Sequence, residues 1–137
     1  MTFVLALLPF FAAALVGALP ERSRNLAAGI AGATSLAGCA IVASVAPAVF
    51  AGEVVRASVP WFAGVSFGFR IDGLALMFAG IVCAIGALVV LYARYYLAPE
   101  DPPARFFAYL LAFMGAMLGV VLADNLILLV VFWELTS

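Results

Sequence analysis

The stretch from Leu26 to Phe50, LAAGIAGATSLAGCAIVASVAPAVF, contains no charged residue. A helix crosses the hydrocarbon core of a bilayer in about 20 residues, and this run is longer than that. Its wealth of Gly, Ala and Ser favours close contact with other helices over exposure to lipid. Working outward, the charged residues punctuate four further apolar runs. One precedes it, from about Phe3 to Leu19, with Pro9 as a kink that a membrane helix tolerates. No Lys or Arg precedes that first run, and no small-x-small site sits cleanly before Pro20, so it reads as a retained helix rather than a cleaved signal. Three runs follow. Gly73 to Leu97 is interrupted only by Arg94, Phe106 to Ala123 lies between Arg105 and Asp124, and the last begins at Asn125. These runs predict helices over 3–19, 26–50, 73–97, 106–123 and 125–137. The fifth carries no stop signal or basic anchor and reads as cut in mid-span. The expectation is an all-α membrane protein, a polytopic bundle of about five transmembrane helices with the fifth truncated, and residues 1–137 as the N-terminal part of one transmembrane domain.

Composition supports that reading. The 137 residues are 69% hydrophobic and 9% charged, with a mean hydropathy of +1.30. A water-soluble domain of this size exposes too much of its chain to hide so much apolar surface, whereas lipid serves as the apolar solvent. The net charge of −1 carries no nucleic-acid footprint. There is no His, which removes imidazole metal sites, His-ligated haem and Ser/His/Asp catalysis together. Cys39 and Cys83 lie inside apolar runs and read as small buried hydrophobes rather than a disulfide or metal pair. No cofactor, no metal site and no enzyme active site is expected.

The loops suggest an orientation. Arg22 and Arg24 lie in the first, Arg94 and Arg105 around the third, and only Arg56 and Arg70 at the second. That bias puts loops one and three in the cytoplasm and the N-terminus outside. In the second loop Val65, Phe67, Phe69 and Ile71 alternate with Ser66, Gly68, Arg70 and Asp72. A period of two predicts a strand. Val59-Pro60-Trp61-Phe62 supplies a partner arm and Gly64 a turn, so a short extracellular β-hairpin is expected between helices two and three.

Glu134 is the residue whose position is costliest. Counted from Asn125 it lies about 15 Å into the last helix, near the middle of a roughly 30 Å core. An ionisable group at that depth usually faces a bundle interior or a water path. A carboxylate there is suited to taking up and releasing a proton, or, more blandly, is satisfied by a neighbouring hydroxyl or Arg. Ser137, three residues on, could share its face and hold a water. Phe132 and Trp133 read as packing. Arg70 and Asp72, two apart on an extended segment, share a face and read first as a solvated ion pair, second as groups at a proton exit. Asp124 and Asn125 look like the N-cap of the fifth helix. Tyr92, Arg94, Tyr95 and Tyr96 form an interfacial anchor. Gly115 and Gly119 form a GxxxG, which admits another backbone at close range. Glu100-Asp101-Pro102-Pro103 reads as a turn.

Several of these stretches also resemble a known family. Phe69-Arg70-Ile71-Asp72-Gly73-Leu74 opening a helix, Tyr92-Ala93-Arg94-Tyr95-Tyr96, Arg105-Phe106-Phe107-Ala108-Tyr109-Leu110, and Asp124-Asn125-Leu126 leading to Phe132-Trp133-Glu134 are similar to the antiporter-like membrane subunits. These subunits are shared by respiratory complex I and the multisubunit Mrp-type sodium/proton antiporters. The ending Trp133-Glu134-Leu135-Thr136-Ser137 most resembles the large A subunit of the Mrp type. The resemblance implies a long subunit of many helices in a bacterial inner membrane. It implies as partners the lipid bilayer, other subunits of a hetero-oligomeric complex, protons and a monovalent cation, sodium first. In the family the Glu of the fifth helix pairs with a Lys from a later broken helix, and the pair is needed for ion translocation. Only Glu134 carries over, because this chain contains no Lys. Two alternatives stand beside this: a proton-pumping subunit of the complex I chain 5 type, and a structural or assembly membrane protein in which Glu134 pins helices together.

Overall fold

The hydropathy pattern becomes a bundle of helices capped at one end by a small sheet. The structure is a computed structural model, and it describes residues 1–20, 23–62, 64–98 and 101–137. Arg22, counted above in the first loop, and Glu100, counted in the turn, lie outside the described residues. The elements in order are α1 (Thr2–Gly17), α2 (Arg24–Phe50), β1 (Val55–Pro60), β2 (Ser66–Ile71), α3 (Gly73–Tyr96), α4 (Pro103–Leu122) and α5 (Leu126–Glu134). The expected helical bundle and its hairpin between the second and third helices are both present. Three helices, α2, α3 and α4, are long and apolar enough to cross a membrane, while α1 is a shorter apolar helix. At nine residues α5 spans only about 13 Å.

Local chemistry explains the boundaries. Asp72 caps α3, its Oδ1 accepting from the Ala75 N–H at 2.9 Å. The fourth helix starts at Pro103 rather than Phe106. A proline is well placed in the first helical turn, where its missing N–H would have had no partner and its φ is already helical. Within α2, Thr34 donates to the Ile30 carbonyl at 2.8 Å and Ser35 to the Ala31 carbonyl at 3.0 Å. These hydroxyls are satisfied by their own helix, so α2 can pack inside the bundle without water.

The hairpin is antiparallel, with Val55 opposite Ile71 and Pro60 opposite Ser66. Its first arm therefore lies over Val55–Pro60, earlier than the expected 59–62. The predicted alternation in β2 sorts the faces: Phe69 and Ile71 are buried against the helices, and Arg70 points away. Gly64 adopts a positive φ of 79° in the turn, a conformation that glycine reaches without strain. Around this end gathers one apolar cluster, including Leu5, Phe69, Ile71, Cys83, Leu118, Leu122, Leu128 and Phe132. A second, with Val16, Ala31, Val90, Phe107 and Leu111, fills the opposite end. There Arg24 Nη2 donates to the Ala98 carbonyl at 2.6 Å, tying the start of α2 to the end of α3.

The GxxxG of α4 does other work than its pattern suggests. A Cβ at Gly115 would come within 2.8 Å of the Phe10 ring, and one at Gly119 would collide with the ring of Phe132. The two glycines seat aromatic side chains from α1 and α5, not a neighbouring backbone. Cys39 and Cys83 are free thiols, the second buried, and Cys83 packs beside Gly38 of α2.

Candidate functional site

The last helix starts where it does because Asn125 holds its first turn. Its Oδ1 accepts from the Leu128 N–H at 2.9 Å. Asn125 alone is the cap. Asp124, expected to share that role, is drawn into the sheet instead: its N–H donates to the Gly68 carbonyl at 3.0 Å, beside a bridge between Ala123 and Phe69. The Nδ2 of Asn125 donates to the Ser66 carbonyl at 2.7 Å. The short link between α4 and α5 is thus laid along β2.

Further along α5, Leu128 and Phe132 are buried. The Phe132 ring lies 5.7 Å from Phe69, 6.2 Å from Phe10 and 6.4 Å from Phe67, centroid to centroid. Two residues of helix turn the next position by about 200°, so Glu134 emerges on the side of α5 away from Phe132. The sequence has Glu134 face a bundle interior or a water path; within this chain its side chain is exposed. Trp133 and Leu135 flank it and are exposed as well. Among the described residues its carboxylate has no ion-pair partner. Glu134 closes the helix, and beyond it the Thr136 hydroxyl donates to the Trp133 carbonyl at 2.6 Å. Ser137 is exposed beyond the end of the helix, so it does not continue the face that holds Glu134.

Arg70 and Asp72 do come together, Nη2 to Oδ2 at 3.0 Å, with both side chains partly exposed. The same Asp72 caps α3 through its other oxygen. They stand at the junction of hairpin and α3, in the loop region before the membrane helix, and neither is brought to Glu134. At the opposite end Tyr92 and Tyr96 stack at 4.8 Å, and Arg94 lies 5.7 Å from the centroid of the Tyr95 ring. These are the side chains that the sequence reads as an interfacial anchor. Among the described residues no cluster of His, Cys, Asp and Glu could hold a metal ion.

Against known proteins, residues 61–107 match the family described as NADH-ubiquinone oxidoreductase (complex I), chain 5 N-terminus. The chain is 48% identical, over 98% of its length, to the A/B subunit of a probable K(+)/H(+) antiporter of Rhizobium meliloti. It is 53% identical over 63% of its length to the A subunit of the Na(+)/H(+) antiporter of Alkalihalophilus pseudofirmus. Over the length they share, this chain is similar to antiporter A subunits. It covers 14% of the first relative and 11% of the second. The fold agrees with the sequence: a chain in the structure of the Mrp complex from Dietzia sp. superposes on 98% of this chain with a TM-score of 0.71 and 28% identity, over 14% of that chain.

The resemblance drawn from the motifs and these comparisons coincide. What sequence reasoning missed is the apparatus around the carboxylate, namely Asn125 reaching to β2 and Phe132 seated on Gly119. The signal for the second was present as an aromatic and a glycine on adjacent helices, but nothing in the pattern paired them.

Proposed function

We propose that this chain is the N-terminal portion of a membrane subunit of a multisubunit cation/proton antiporter, and that Glu134 is its protonatable group. The observation that carries this reading is a carboxylate with no ion-pair partner among the described residues, at the end of the otherwise apolar helix LILLVVFWE, on the face its own bundle leaves open. Such a group is costly in a membrane unless paired or hydrated. The resemblance to the antiporter-like subunits implies a Lys from a later helix as its partner. The chain works as part of a transporter and not as a chemical catalyst.

We assign sodium as the exchanged cation, a choice supported by the Alkalihalophilus relative, which is named as a Na(+)/H(+) antiporter. The second reading is potassium, favoured by the Rhizobium relative. The partners are the lipid bilayer and the other subunits of an antiporter complex, as the Mrp neighbour suggests. The membrane is the bacterial inner membrane, with the N-terminus and hairpin outside and the Arg24, Arg94 and Arg105 end in the cytoplasm.

The test uses the full-length protein in its complex, in everted membrane vesicles. Glu134→Gln is expected to leave the assembled amount unchanged and to abolish cation-driven proton exchange, with sodium and potassium assayed in parallel. Full exchange in that variant would overturn the role of Glu134. Loss of assembly in step with loss of exchange would favour the structural reading instead.

A further inference from the structure

We propose that Asn125 and Gly119 are positioning residues for Glu134, through which the β-hairpin sets the register and rotation of α5. This rests on the reading of Glu134 given above. The helix is short, and two of the contacts that hold it lead to β2. At its first turn, one amide side chain does two jobs: Asn125 Oδ1 accepts from the Leu128 N–H, and Nδ2 donates to the Ser66 carbonyl. The Asp124 N–H adds a backbone bond to the Gly68 carbonyl. Two residues before Glu134, the ring of Phe132 is lodged over Gly119 of α4 and against Phe69 of β2. A helix held only at its cap could still rotate about its axis; one held also at Phe132 cannot. Since Glu134 lies about 200° around the helix from Phe132, the side on which the carboxylate emerges follows from the seat of that ring.

The two holds are chemically distinct, and each has a specific variant. Asn125→Asp keeps an oxygen for the cap but replaces the donor to Ser66 with a carboxylate facing a carbonyl. Gly119→Ala puts a methyl where the Phe132 ring lies, and Phe132→Leu, added to it, returns the space. In the full complex in everted vesicles, Gly119→Ala and Asn125→Asp are each expected to lower exchange per assembled complex by about tenfold or more, as small misplacements of a reacting group do. Each should also displace the pH profile of exchange, which a loss of folded protein alone would not do. Gly119→Ala with Phe132→Leu should recover exchange to within about threefold of the parent, and with it the parent pH profile, because the seat is again wide enough.

Unchanged activity and pH profile in both single variants would overturn the proposal. So would a loss of exchange that only follows the assembled amount, or a double variant no better than Gly119→Ala. Glu134→Gln, run alongside, separates the two ideas. If it is inactive while the positioning variants are normal, the inference fails and the role of Glu134 stands. If Glu134→Gln is itself fully active, the role of Glu134 fails, and positioning fails with it.

Discussion

Asp72 shows how one side chain can join two kinds of structure. One oxygen takes the Ala75 N–H at the start of α3, and the other holds the Arg70 guanidinium at the end of β2. The ion pair is partly exposed and is worth little, because water screens it. The cap matters more. Asp72→Ala should lower stability by about 1 kcal/mol, the usual cost of an N-cap, read as an earlier thermal transition of the purified complex. Asp72→Asn should cost markedly less, since the amide keeps an acceptor for Ala75. A loss as large in Asp72→Asn as in Asp72→Ala would make the charge, and not the cap, the important feature. The pairing with Arg70 is legible from the period of two in the sequence. The cap is not, because Asp72 falls within the alternation that marks the strand. Asn125 and Asp124 show the converse: both types favour caps, and only tertiary hydrogen bonds to β2 decide which of them serves.

Between elements, small residues decide how closely helices approach. Gly38 of α2 faces Cys83 of α3, and a Cβ there would stand 2.7 Å from the Cys83 Sγ. Gly38→Ala is therefore expected to push α2 from α3 at a cost of about 1–3 kcal/mol, typical of overpacking. Adding Cys83→Ala should restore most of it, because the sulfur is what the new methyl meets. Thermal unfolding of the two single variants and the double variant checks this. Costs that simply add would show that the two sites do not touch in the assembled protein. The helices themselves are plain from apolar length, and β2 from its alternation. The start of β1 is not, since Val55, Ala57 and Val59 are small and carry little contrast with their neighbours. The glycines of α4 are visible as a motif, yet the motif is silent on whether a backbone or an aromatic ring fills the gap. That is settled by Phe10 and Phe132, which arrive from opposite ends of the chain.

At the scale of the whole molecule, the ends differ in charge and in structure. Arg56 and Arg70 face one another across the hairpin, whereas Arg24, Arg94 and Arg105 belong to the other end. The proposed orientation can be checked with single cysteines at exposed positions. Ser58→Cys, on the hairpin strand β1, should react with a membrane-impermeant thiol reagent in intact cells, and Arg105→Cys should react only after the membrane is opened. The reverse pattern would invert the topology. Relative to the curated antiporter proteins it matches, the chain spans only 11–14% of their length, so the assays of exchange belong to the full-length protein. The direction taken by Glu134 could not be read from its depth in an apolar run, because depth says nothing of rotation.

The hydroxyls of α2 have a consequence for conduction. Among the described residues, the buried polar side chains are Thr2, Thr34 and Ser35, and the latter two are bonded back onto carbonyls of their own helix. The largest side chains of the interior, among them Leu118, Leu122, Leu5 and Phe107, are apolar and fully enclosed. A file of water needs polar partners every few ångströms, and among the described residues only the Thr2 hydroxyl is buried without one. In electrical language the described bundle resembles an insulator, with the Glu134 side of α5 facing outward. Under the proposed role, protons would therefore reach Glu134 along the open side of α5, while the packed helices behind it act as the gasket that prevents a short circuit.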